Sequence, residues 1–196
     1  MFTLRKTERF EQEVKKSRFL AAAGPAGSEE EARAFIAGCG SQDAGHNCWA
    51  FRIGGVYRFS DDGEPGGTAG RPILQAIEGQ GLDRVAVVVS RWFGGVLLGT
   101  GGLVRAYGGT AAMCLRAAER EAIVDLAALS VVCAFADEGR IRASLAGIAG
   151  AVADSADFTA EGVRLLVRLP RDRLDGFIRT VADITRGQAD IALPEG

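Results

Sequence analysis

Sixteen of the chain's 27 glycines lie in residues 41–110, and no other feature restricts the fold as much. Average usage near 7% would place about five in a stretch of that length. Glycine is used where φ must be positive or where another group must approach the backbone; elsewhere its lost conformational entropy weakens a segment. Two runs hold most of the enrichment, Ser60 to Pro72 (SDDGEPGGTAGRP) and Ser90 to Tyr107 (SRWFGGVLLGTGGLVRAY). In the second, the apolar run Val85 to Val89 leads through Gly94 and Gly95 to Gly99, Gly101 and Gly102, and then to a helical-looking stretch, Leu103 to Arg120. The order is strand, glycine-rich turn, helix. The first amides of a helix lack internal partners and carry the positive end of its dipole, so the turn suits an anion, with Arg91 and Arg105 flanking it. Tight strand-to-helix packing accounts for the same glycines. No GxxxxGKS/T motif occurs, and Gly99-Thr100-Gly101-Gly102-Leu103-Val104 lacks the last glycine of a dinucleotide fingerprint.

Charge and cysteine content narrow the function classes. The formal net charge is -2, so no general attraction to phosphate backbones is expected, and any nucleic-acid contact must come from a local patch. Four cysteines (Cys39, Cys48, Cys114 and Cys133) form no CxxC pair and only one histidine accompanies them, which argues against a zinc site. No secretory leader and no apolar run of membrane-spanning length are read, so a cytoplasmic protein with reduced thiols and no membrane association is expected.

Taken in order, residues 9–23 read as a strand that begins charged and turns apolar at Phe19, with Lys15, Lys16 and Arg18 as the densest basic cluster. That cluster suits a solvated edge first, and a nucleic-acid or partner contact second. Ser28 followed by three glutamates is a capping box for a helix over Glu29 to Cys39. His46 to Ile53 reads as a strand with His46, Cys48, Ala50 and Arg52 on one face. Side chains two apart on a strand stand about 7 Å from each other, too far for a base and nucleophile. A buried thiol and a histidine donating to a loop carbonyl are expected instead. Gly54-Gly55 turns the chain into a returning strand, Val56 to Phe59. Asp61, Asp62 and Glu64 then form an acidic loop whose readings are capping of the next helix, a partner-facing surface, or a divalent-cation site. A helix opens at Thr68 or Gly70 with Pro72 in its first turn, and Arg71 at its start is expected to clamp an aspartate of that loop. Arg84 to Ser90 is apolar enough for a central strand, carrying Arg91, Trp92 and Phe93 at its end as a basic-aromatic group suited to single-stranded nucleic acid. Beyond Arg120 come an apolar segment Ile123 to Phe135, a helix Glu138 to Ile148, a hairpin of Phe158–Thr159 and Val163–Leu169 about Glu161-Gly162, a helix Leu174 to Thr185, and a short strand Asp190 to Leu193. That order, βαββαβ, is the ferredoxin-like plan. Nothing in this half marks chemistry, and an interaction or packing role is expected for it.

The two glycine-rich runs, with Gly45 to Ile53 (GHNCWAFRI) before them, resemble the signature of the YigZ/IMPACT family, also called uncharacterised protein family 0029. Three motifs occur in order, and the likeness covers Lys15 to about Ala118. Gly66, Trp49, Trp92 and Ser90 depart from the residues common at those places. The resemblance implies an α+β fold in two domains. Residues 1–122 would be an N-terminal IMPACT/YigZ domain like the second domain of small-subunit ribosomal protein five. Residues 123–196 would be a ferredoxin-like domain. Eukaryotic IMPACT members regulate translation by competing for a ribosome-associated activator of a stress kinase, through an extra domain these residues are not expected to include.

The functional expectation is a non-enzymatic, translation-linked binding protein without cofactor. Its surface around Arg71, Arg91, Trp92, Gly94, Gly95, Gly99, Gly101, Gly102 and Arg105 would meet RNA, the ribosome or a ribosome-associated protein partner. The alternative is a metal-dependent enzyme acting on a phosphorylated small molecule or nucleotide, with Asp61, Asp62 or Glu64 holding the metal. Neither reading names a catalytic residue or an oligomeric state.

Overall fold

The computed structural model describes residues 1–160 and 162–193. The chain divides into two compact units, Met1–Ile123 and the residues from Val124 onward. The first unit is built on one antiparallel sheet. Its strands are β2 (Glu8–Val14), β3 (Ser17–Pro25), β4 (His46–Ile53), β5 (Val56–Ser60) and β6 (Val85–Trp92). Their spatial order is β2-β3-β6-β4-β5. The near-continuous apolar run of β6 takes the central place, as its composition predicts. Helices α2 (Gly70–Glu78) and α3 (Thr100–Ala117) pack on one face. The main core lies there, with Phe19, Cys48, Ile73, Ile77 and Tyr107 all fully buried. Helix α1 (Glu29–Cys39) covers the other face over Phe51 and Ala86. The Ser28 hydroxyl accepts from Glu31 N at 3.1 Å, the cap that the sequence predicts. A short β1 (Phe2–Leu4) pairs with β7 (Arg120–Ala122) in a separate ribbon.

The second unit has β8 (Leu126–Cys133), α4 (Phe135–Ala146), β9 (Val152–Phe158), β10 (Val163–Pro170), α5 (Leu174–Thr185) and β11 (Asp190–Ala192). The predicted element order βαββαβ is present, and the four strands form one antiparallel sheet in the order β11-β8-β10-β9. Its own core includes Leu129, Val131, Ile141, Leu165 and Phe177. None of the helices among the described residues is long and apolar enough to cross a membrane.

Several boundaries differ from expectation. Residues 9–23 are a hairpin, not one strand. Lys15 and Lys16 form its two-residue turn with φ of 47° and 67°. Lysine takes that left-handed conformation at a cost of roughly 1–2 kcal/mol, so the sequence carries no turn signal there. Helix α3 begins at Thr100 rather than Leu103, because Gly99 with φ of 70° reverses the chain and leaves Gly101 and Gly102 inside the first turn. It ends at Ala117 because pairing with β1 draws Arg120 into β7. The apolar segment Ile123 to Phe135 is interrupted: Ile123 bonds Met1, β8 starts at Leu126, and Phe135 already belongs to α4. Strand β9 is longer than predicted, since its mostly exposed edge sequence VADSADF shows no apolar alternation. The expected hairpin tip includes Glu161, which lies outside the described residues.

One close approach fixes the hairpin turn against the rest of the sheet. A Cβ at Gly94, just past β6, would lie 1.9 Å from the carbonyl oxygen of Lys16, which is backbone and cannot yield. At Gly66 a Cβ would meet nothing within 4 Å. Gly94→Ala is therefore expected to destabilise the protein by more than about 2 kcal/mol, and Gly66→Ala to change stability by less than about 0.5 kcal/mol, in denaturant titrations.

Candidate functional site

The SDDGEP loop, between β5 and α2, is held from three sides by its own carboxylates. Asp61 accepts from the backbone N–H of Gly67 at 2.8 Å and from Ala69 and Gly70 at 2.9 Å each. It thereby caps α2 from outside the helix, where Ala69 offers no capping side chain. Asp62 accepts from Asn47 N at 2.6 Å. Glu64 is buried, and its Oε1 accepts from Arg91 Nη1 at 2.5 Å and from the Tyr107 hydroxyl at 2.7 Å. Capping is thus realised at Asp61, and no group of three or more His, Cys, Asp or Glu suited to a metal occurs among the described residues. The Asp61 carboxyl is pushed up by burial, but the amides of Gly67, Gly70 and Ala69 outweigh this and hold it below its ordinary value.

His46 and Cys48 behave as expected from their strand spacing. His46 Nδ1 lies 2.7 Å from the carbonyl oxygen of Asp62. A carbonyl only accepts, so Nδ1 carries the proton. The Cys48 thiol donates to the Asp61 carbonyl at 3.0 Å, and burial pushes its pKa up to about 12. Burial first, then the neighbouring Cys48 and Glu64, raises Tyr107 as well. Both groups are inert donors that tie the loop to the core, and a thiol so disfavoured as thiolate is no nucleophile.

The arginines singled out from the sequence go to three different places. Arg91 is 6% exposed, with its guanidinium on Glu64, 3.5 Å from Ser17 Oγ, and 5.6 Å from the ring centroids of Phe19 and Phe93. Arg71 does not clamp the acidic loop. It is exposed and lines a recess with Tyr57, Phe59 and Leu74, because Asp61 is already saturated by amides and Asp62 faces β4. Trp92 is half-buried beneath the Arg18 guanidinium, 4.4 Å from its ring centroid. Gly94 seats Lys16, and Gly95 and Gly99 take φ of 82° and 70° on the way to α3. Phe93, Val96 and Leu97 in that loop are exposed.

Arg105 and Gly102 meet in a groove of about 400 Å³ between the β2–β3 hairpin and α3. Its other walls are Gln12, Val14, Lys15, Leu98, Ala106, Gly109 and Met113, and no acidic side chain lines it. Gly101 lies alongside, where a Cβ would come 3.6 Å from Arg105 Nη1. Sequence reasoning found Gly102, Arg105 and the lysine cluster separately. It missed Gln12, Val14, Leu98 and Met113, whose types are those of ordinary core or surface residues.

A model of the Impact N-terminal domain matches residues 15–115, the stretch that contains the hairpin turn, the loop and the groove. The chain belongs to the IMPACT family. Residues 131–188 match a domain of unknown function, DUF1949. An IMPACT family member encoded in the pol 5′ region of Thermus thermophilus is 49% identical over 89% of this chain and 97% of its own length. The family member YigZ of Escherichia coli K12 is 37% identical over 92% of this chain and 91% of its own. A crystal structure described as that of a hypothetical protein superposes with a TM-score of 0.74 at 34% identity, covering 99% of this chain and 97% of that one.

Two outcomes follow for this IMPACT protein. Glu64→Gln leaves a buried guanidinium without its counter-charge and is expected to cost about 3–5 kcal/mol, whereas replacing Glu64, Arg91 and Tyr107 together by leucine, methionine and phenylalanine, which leaves no buried donor behind, recovers most of it. A Glu64→Gln midpoint equal to the wild type would remove the pair from any structural role. Because the Asp61 pKa is lowered on folding, its contribution is complete above the unfolded carboxyl's value of about 4 and is lost as pH falls through the folded value. The stability gap between wild type and Asp61→Asn should therefore close as pH is taken from about 6 towards 2.

Proposed function

We propose that this IMPACT family member is a non-enzymatic, translation-linked binding protein whose hairpin–α3 groove receives RNA phosphate, free or within ribosomal particles. The observation that carries the reading is the groove itself, in which Lys15 and Arg105 stand with Gly102 over a floor that holds no carboxylate. Neither cation has a partner among the described residues. The amides of Gly101 and Gly102 lie in the first turn of α3, where the helix dipole favours an anion. Exposed Phe93 and Leu97 on the adjoining loop offer apolar surface for a base. In this reading Arg91 shapes the floor from beneath and does not touch the ligand. Arg71 lies outside the site. We read the first unit as similar to the second domain of small-subunit ribosomal protein five and the second unit as ferredoxin-like, the latter supported by its βαββαβ order in a single antiparallel sheet. The competing enzyme would need open carboxylates, and Asp61, Asp62 and Glu64 are engaged by protein donors.

Binding to single-stranded RNA and to ribosomal particles, measured across a salt series, tests the site. Lys15→Ala and Arg105→Ala should each weaken affinity and lower the salt slope by about 0.7–0.9 for each phosphate no longer neutralised. Unchanged slopes in the double variant would refute the groove as the phosphate site.

A further inference from the structure

The two edges of the five-stranded sheet differ in a way that RNA binding leaves unexplained. At one edge, the exposed side chains of β2 are Arg9, Glu11 and Glu13, charges that keep a foreign strand away. At the other, β5 exposes Val56, Tyr57 and Phe59, at 52%, 55% and 39%. It holds no proline, lysine or bulge, and its one charge, Arg58, is drawn to Glu29 of α1 at 3.0 Å. Nothing in the first unit pairs with its outer side.

The hydrogen-bonding parity of that edge can be read from the hairpin. Gly54, with φ of 62°, and Gly55 form a two-residue turn between the partners Ile53 and Val56. Residues flanking such a turn exchange both backbone bonds, and bonding then alternates. Val56, Arg58 and Ser60 therefore bond to β4, leaving the N–H and C=O groups of Tyr57 and Phe59 directed outward. The Asn47 amide agrees with this parity, since it points to the same side of β4 and is taken by Asp62. Beside this edge, Tyr57, Phe59 and Leu74 form a recess with Arg71 at its rim. Arg71 is exposed and without a partner among the described residues, while Glu78 in the same recess is taken by Arg52 at 3.2 Å.

We propose that β5 accepts an extended, acidic segment of another protein as an added strand. Its backbone would bond to Tyr57 and Phe59, its alternate apolar side chains would cover the recess, and a carboxylate would meet Arg71. The unpartnered Arg71 calls for an acidic occupant, and β5 of a second copy of the chain carries no carboxylate. Self-pairing in the register that places Tyr57 opposite Phe59 also places Arg58 opposite its own copy, and like charges directly across a ladder are destabilising. Main-chain bonding supplies affinity in such a complex, and the flanking recess supplies selectivity.

The test is selection of a phage-displayed library of random linear peptides on the full chain, with Phe59→Pro as the counter-target. Proline at this position removes an outward N–H and no bond to β4, but it also deletes the half-buried Phe59 side chain from the recess, so the variant should stay folded with a stability loss of about 1–3 kcal/mol in denaturant titration. Tyr57→Pro is the second variant should the first fail to fold. Enriched peptides are expected to alternate apolar residues and to carry Asp or Glu. As synthetic peptides they should lose at least tenfold in affinity on the proline variant and on Arg71→Glu. Exchanging their acidic residue for lysine should restore binding to Arg71→Glu. N-methylation of the alternate amides that face β5 should abolish binding, and methylation of the other set should not. Peptides that bind the proline variant equally well, or no enrichment over it, would overturn the proposal. So would a wild-type dimer in sedimentation that Phe59→Pro dissociates, because the edge would then belong to a second copy.

Discussion

The buried contact of Arg91 with Glu64 and Tyr107 organises the first unit. It joins the end of the central strand, the middle of α3 and the acidic loop at one carboxylate oxygen. Withdrawing two charges from water costs several kcal/mol each, and their attraction offsets this only with good geometry and further hydrogen bonds. Here the Tyr107 hydroxyl supplies one such bond, and Ser17 Oγ stands at the edge of reach of the guanidinium. Against a total stability of about 5–15 kcal/mol, the pair is a large single contribution to which structure is adopted, whatever its net energy. It fixes where the loop lies. That in turn places Asp61 at the start of α2 and the carbonyls that receive Cys48 and His46.

The arginine illustrates the limit of what the sequence shows. Strand β6 was legible from composition, and so was its central place. The residue that follows its apolar run was not, because an arginine at a strand end next to tryptophan, phenylalanine and glycines has the same signature whether it faces solvent or a buried carboxylate. Only the tertiary partner decides, and Glu64 is 27 residues away. The lysine turn shows the complementary failure. Hairpin signals depend on residues that adopt positive φ without cost, and Lys15 and Lys16 give none. The turn is specified instead by Gly94, whose missing side chain lets the Lys16 carbonyl approach. Periodicity served best where local and tertiary demands agree, as in β4, α2 and α5.

Glycine enrichment had two readings, and the structure divides the residues between them. Gly94 and Gly70 permit backbone approach, since a Cβ at Gly70 would lie 2.6 Å from the Ser60 carbonyl. Gly95 and Gly99 provide positive φ. Gly101 and Gly102 do neither by necessity, and in the first turn of a helix they weaken it relative to alanine. At Gly101 a Cβ would meet only the mobile end of Arg105 at 3.6 Å, and at Gly102 it would sit 3.0 Å from Leu98 Cβ. Bare backbone at the groove wall therefore has a partial packing reason at Gly102 and none at Gly101, whose amide the proposed phosphate site would use.

The strand order also separates the two surfaces. The groove is walled by β2 residues Gln12 and Val14 at one edge of the sheet, and the open ladder belongs to β5 at the other. Three strands lie between them. At about 4.8 Å per strand, the two edges stand roughly 19 Å apart, farther than a Debye length at physiological salt. Charges bound at one edge are then screened from Arg71 at the other. The two ligands would not compete by contact or by field, and a single rigid sheet could hold a phosphate-bearing particle and an acidic strand together. Coupling between them, were it found, would run through the Arg91–Glu64 contact, which joins the central strand to α3 and to the acidic loop, or through the direct packing of α2 on α3, where a Cβ at Gly108 would come 3.3 Å from Pro72.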